Sequence, residues 1–122
     1  MRAQEIPTSE WRNFLEGFVT QHRGWLANLD RRQHGNGSIA VVYDRPLEEI
    51  RLDKKTGVMT LVFGRPDGEQ VSEVVQSPRR LKFLETEPGS HAGLEIESVD
   101  GTAFVMRFRS AMPPEMVDGI AA

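Results

Sequence analysis

The sequence predicts an α+β fold, one N-terminal amphipathic helix packed on a strongly curled antiparallel sheet, and three observations predict it. Trp11, Phe14, Leu15, Phe18 and Val19 recur at helical spacing, with His22 continuing their stripe. Beyond Trp25 the period changes to alternation, and turn signals recur at the intervals of short antiparallel strands. The segment 58–75 is apolar on both faces, which one covering helix cannot satisfy. The sheet should therefore curl into a meander or partly open barrel of about six to eight strands, or a dimer must shield the second face.

The helix is expected over 8–23. In Pro7-Thr8-Ser9-Glu10, Thr8 or Ser9 can accept from a free backbone N–H, and Glu10 complements the positive end of the dipole. Gly24 can take the left-handed conformation that closes the helix, with Arg23 beside its negative end. Gly17 lies off the aromatic stripe and weakens the helix only modestly. A stripe of this kind is core, so Trp11 and Phe18 should face inward.

Strands are expected at 25–31, 38–43, 47–53, 58–64, 69–76, 79–86, 93–99 and 102–110. Leu47-Glu48-Glu49-Ile50 could also form a helical turn. Asn36-Gly37-Ser38 matches a glycosylation sequon but reads as a hairpin turn. In the last hairpin Leu94, Ile96, Phe104, Met106 and Phe108 share a face only if the loop has an odd number of residues. This predicts a three-residue loop with Gly101 left-handed. Pro66-Asp67-Gly68 should likewise put Met59, Leu61, Phe63, Val71 and Val75 on one face, with Val58, Val62 and Val74 on the other. The tail 111–122 is apolar enough to pack back on an edge strand, giving a single domain over 1–122.

Composition narrows the chemistry. A chain of 122 residues has room for one core, and its hydrophobic fraction of 39% is that of a globular domain. The net charge of −3 disfavours whole-molecule steering towards nucleic acid or an anionic bilayer. Without cysteine there is no disulfide, thiolate metal site or cysteine nucleophile. No apolar run reaches the length of a membrane span and no secretory leader is recognisable, so the expected setting is the cytoplasm, with no membrane partner.

Candidate site residues are few. His91, Glu95 and Glu97 on one strand face, with Arg107 and Arg109 opposite, could contact a ligand or metal, although cross-strand ion pairing is the more ordinary use of such residues. Arg79, Arg80 and Lys82 form the densest basic cluster and could contact an anion, but Glu85 and Glu87 follow closely. His22 reads as a buried or capping histidine. Gly101–Phe108 fails the stacking-strand pattern of RNA-recognition motifs. No nucleophile triad, phosphate loop or dinucleotide fingerprint occurs, so no catalytic, metal or cofactor residue is assigned.

Glu10-Trp11, Phe14, Phe18 and His22-Arg23-Gly24-Trp25 at one end, and Leu94–Ser98, Asp100-Gly101-Thr102, Arg107–Ser110 and Pro114–Gly119 at the other, carry a resemblance. The chain resembles a family of short uncharacterised bacterial proteins known as a domain of unknown function. The resemblance implies that Trp11, Trp25 and the terminal hairpin belong to one unit, and implies no substrate or cofactor. The residues favour a non-enzymatic binding or assembly protein, self-associating or taking a protein or small-ligand partner. The alternatives are nucleic-acid or anionic-ligand binding through the basic strand face, and, last, a metal-assisted hydrolase using His22 or His91 with Glu95 and Glu97.

Overall fold

A computed structural model of the chain describes residues 2–33, 37–65, 68–86 and 89–112. Strand β1 (Arg2–Ile6) leads through a 3-10 turn (Thr8–Glu10) into α1 (Trp11–His22). Then follow β2 (Leu26–Arg32), β3 (Ser38–Leu52), β4 (Met59–Gly64), β5 (Gln70–Val75), β6 (Pro78–Glu85), β7 (His91–Ser98) and β8 (Ala103–Met112). All eight strands join one sheet in the order β1-β6-β7-β8-β2-β3-β4-β5, and every neighbouring pair is antiparallel. Among the described residues no helix is long and apolar enough to cross a membrane.

The aromatic stripe of α1 faces inward as expected: Trp11, Leu15, Phe18, Val19 and His22 are buried. The side-chain cap expected from Thr8 or Ser9 is not made. Instead the Glu10 N–H reaches the Pro7 carbonyl, and Trp11 Nε1 donates to the Ile6 carbonyl at 2.8 Å, tying the helix to β1. Gly24 closes the helix at φ +91°, and its N–H donates to the Leu47 carbonyl, fixing the helix exit against β3.

The sheet is open, with β1 and β5 as its edges, so it forms no barrel. The strong continuous curl read from the sequence is also absent, and the ladder is instead interrupted locally, in β3 and again along β6–β8. The two expected strands 38–43 and 47–53 are one strand whose first part pairs with β2 and whose last part pairs with β4. Asp44 between them takes φ +55°, and register shifts lie on both sides. A bend with bulges re-aims a strand without reversing it, so Asp44-Arg45-Pro46 is a corner rather than a turn. Gln76 and Ser77 alone join β5 to β6, a span of at most about 11 Å from Val75 to Pro78. The corner thus returns the β4–β5 end of the sheet to the start of β6, where the Val99 N–H donates to the Ser77 carbonyl.

The larger hydrophobic cluster fills the bend, drawing Phe18, Leu29, Leu47, Phe63, Leu81 and Met106 from six different elements, and a smaller one, Leu84, Ala92 and Val105, lies on the other face of the sheet. The register of the last hairpin confirms the three-residue loop: Leu94 faces Met106, Ile96 faces Phe104, and Gly101 has φ +92°. In the 58–75 hairpin Met59 faces Val75 and Phe63 faces Val71, but Leu61 faces Glu73. On its reverse face Val62 is 0% exposed and Val58 half-buried, so this face is largely covered within one chain, and of its three valines only Val74, at 43%, is exposed. The sequon overlaps residues 34–36, and the tail beyond Met112 also lies outside the described residues.

Candidate functional site

The structure divides the sequence-predicted ligand face. Alternation puts Glu95, Glu97 and Arg107 on the side of the sheet away from the core, where Lys82 faces Glu95 and Arg80 faces Glu97 across the β6–β7 ladder. Arg79 Nε and Nη2 both donate to Glu97 Oε1, at 2.9 and 2.6 Å. That bond, with Arg80 and Lys82 nearby, holds the Glu97 pKa below the ordinary value. Arg109 approaches Asp44 at 3.6 Å. Charges of both signs interleave on this face, which is the pattern of cross-strand pairing on a wet surface.

His91 does not belong to this face. Between His91 and Gly93 the β7 register shifts against both neighbours: Glu85 faces His91, but Leu84 faces Gly93, leaving Ala92 extra. One extra residue reverses the side a strand presents, so His91 turns to the core side with Leu94 and Ile96. Gly93 makes the bulge possible. Its φ is +152°, and a Cβ there would run into the Met106 carbonyl on β8.

On the core side His91 meets His22. His22 Nδ1 lies 2.7 Å from the Phe18 carbonyl, which can only accept, so that nitrogen carries a proton. Neutral His22 then offers Nε2 as an acceptor, and His91 Nδ1, 2.7 Å away, donates to it. Rings enclose the pair. Phe18 and Phe108 lie against His22 at centroid distances of 4.3 and 4.9 Å, Trp25 meets its edge at 4.6 Å, and Phe83 meets His91 at 5.1 Å. Burial drives the His22 pKa down from 6.5 to about 4, opposed by the Phe18 hydrogen bond and assisted by His91. His22 is a hydrogen-bonded core histidine held neutral by burial, as expected, and His91 lies beside it on the core side, away from Glu95 and Glu97.

Two grooves remain. The larger, about 650 Å³, lies between α1 and the end of β3; of its charged side chains Glu49, Arg51 and Asp53 are engaged locally, and Arg12 and Glu16 make no ion pair among the described residues. Arg51 pairs with Glu49 at 3.2 Å, and Asp53 Oδ1 accepts the Lys55 and Thr56 N–H groups, which lower its pKa. The smaller, about 330 Å³, opens where the bend brings β5 over the β7–β8 loop. Its walls include Arg31 of β2, Val74 and Gln76 from the β5 side, and Val99, Asp100 and Phe104 from the last hairpin.

Arg31 is the residue that sequence reading missed. On β2 the buried residues are Ala27 and Leu29, so Arg31 stands third in the same core-facing alternation, opposite Phe104. It is half-buried, its Nε is buried without a hydrogen-bond partner, and it makes no ion pair among the described residues. The signal was available: a cation on the apolar parity of a strand is an anomaly, whereas Arg31-Arg32 read as a pair looks like an ordinary solvated strand end. Asp100, across the groove, is engaged by Ser98 Oγ and by the Thr102 N–H at 2.9 Å. These bonds lower its pKa and keep it ionised at neutral pH.

Compared with protein-family models, curated proteins and solved structures, the chain matches none.

Proposed function

We propose that the protein is a non-enzymatic binding protein that takes a small ligand in the Arg31 groove. The observation that carries this reading is an arginine on the core side of β2 that lines an open groove and makes no ion pair among the described residues, where its Nε also has no hydrogen-bond partner. A buried donor left unmet is destabilising, and such a group calls for an explanation.

The other readings have less support. A metal-assisted hydrolase would need His91 beside Glu95 and Glu97, and the bulge turns it to the opposite side of the sheet. Nucleic-acid contact through Arg79, Arg80, Lys82, Arg107 and Arg109 would compete with the carboxylates interleaved among them. Self-association keeps one specific support: among the described residues β1 and β5 are edges with no further strand beside them, and β5 carries a single charge, Glu73. Membership of the short bacterial family that the terminal motifs resemble belongs to the same proposal.

Two-dimensional NMR with mixtures of small metabolite-like compounds tests the main reading. Shift changes clustered on Arg31, Val74, Val99 and Phe104 support it, and mixtures that move no resonance in this groove remove it. Light scattering after size exclusion tests the self-association reading, which a strictly monomeric species across micromolar concentrations would remove.

A further inference from the structure

We propose that the ligand of the Arg31 groove is a small monocarboxylate with a short apolar body, its carboxylate held by the Arg31 guanidinium. This rests on the reading of the groove as a binding site and adds the chemical class of its occupant.

The charge points to a single negative group. Arg31 has no ion-pair partner among the described residues, and a guanidinium fork matches a planar carboxylate through two parallel N–H···O bonds. Asp100 lines the same groove, so a dianion such as phosphate would meet one attractive and one repulsive charge, whereas a monoanion seated at Arg31 can keep its tail towards the apolar wall. The groove has such a wall. Val74 and Val99 line the groove at 43% and 62% exposure, and Phe104 stands opposite Arg31 in the ladder.

Size and rigidity agree. About 330 Å³ lies at the small end of ligand sites, enough for a few carbons beyond the carboxylate. Arg31 is carried by a strand paired on both sides, by β3 and β8, which restricts where its guanidinium can go. Gln33, Gln76 and Ser77 supply a polar rim.

The test is titration calorimetry and NMR with butanoate and hexanoate, their primary amides and inorganic phosphate, on the wild-type chain and on R31M, R31K and V99E. The expected result is that the carboxylates bind and shift the Val74 and Val99 methyl groups. The amides and R31M should weaken binding by about tenfold or more, the size of a lost charge-assisted hydrogen bond. R31K should recover part of the loss. V99E, on an exposed turn outside the strand pairing, should weaken binding by repulsion, and urea midpoints would establish that each variant folds. Amides binding as well as acids, phosphate binding more tightly than butanoate, or R31M binding butanoate like wild type would overturn the ligand class while leaving the groove as a site. A series in which no compound moves a groove resonance would overturn both.

Discussion

At one end of the β2–β8 ladder Phe108 lies across from Ala27, and its ring packs on Phe18, His22 and Trp25; four residues earlier on the same strand, Phe104 lies across from Arg31 beside a groove. Both positions face the same side of the same two strands. One end is sealed by a helix bringing aromatic rings, with every His22 nitrogen hydrogen-bonded. The other carries a cation with an unmet donor. The difference teaches where this chain spends stability: the helix end is built for packing, and the groove end keeps a polar group that packing alone would replace.

The largest test breaks the sealed end. Gly93→Ala forces a side chain into the β8 backbone at a φ that L residues rarely adopt, so it should cost about 4 kcal/mol or prevent folding, measured by urea unfolding with far-UV circular dichroism. Near-wild-type stability would mean that the bulge is not needed to aim His91.

The next uses pH. The His22 pKa is lowered from 6.5 to about 4, so between these values the unfolded chain holds a proton that the folded chain refuses. The stability is present above pH 6.5 and is lost as pH falls towards 4. From pH 7 to pH 5 the loss should be about 2 kcal/mol, before Asp53, Asp100 and Glu97, all with lowered pKa values, begin to take up protons. His91 is the titratable group bonded to His22. Glu85, opposite His91 on β6, is held by Arg2 at 2.9 Å. Urea midpoints at pH 7 and pH 5, in wild type and in His22→Gln, isolate the contribution: the variant should be less stable overall but flatter between the two pH values.

At the open end the sign reverses. Arg31→Met places an apolar side chain on an apolar parity and removes the unmet donor, so it should stabilise the free protein by about 1 kcal/mol in the same urea assay. A clear loss of stability would show that Arg31 is structural and erase the contrast. The smallest effect belongs to neither end: Arg79→Ala removes an exposed ion pair with Glu97 and should cost no more than about 0.5 kcal/mol, shrinking further with added salt.

How far the sequence reached follows the same division. Local rules were sufficient for α1 and for the Gly101 loop, because helical spacing and strand parity are written in adjacent residues. They missed β1, since Arg2–Glu5 are exposed and show no alternation; that strand exists because β6 offers it an edge. They divided β3 in two, because a corner at Asp44 and a true reversal use the same residue types. The site was less legible still. Parity counting through β7 failed at Gly93, although a glycine inside a strand is itself a warning of a bulge. The meeting of His22 with His91, and of Arg31 with Val74 and Asp100, depends on strand order, which no local pattern encodes.

That order has a consequence for how the chain is made. Strand β8, the last in chain order among the described residues, is inserted between β7 and β2 at the middle of the sheet. A nascent chain therefore leaves the ribosome with one edge of each of two central strands, β7 and β2, unmatched until β8 emerges. Refolding should be slow for a domain this size, in the millisecond-to-second range of topologies dominated by distant pairings. A chain ending before residue 103 should aggregate rather than form a smaller stable domain, because it exposes a bare seam down the centre of the protein.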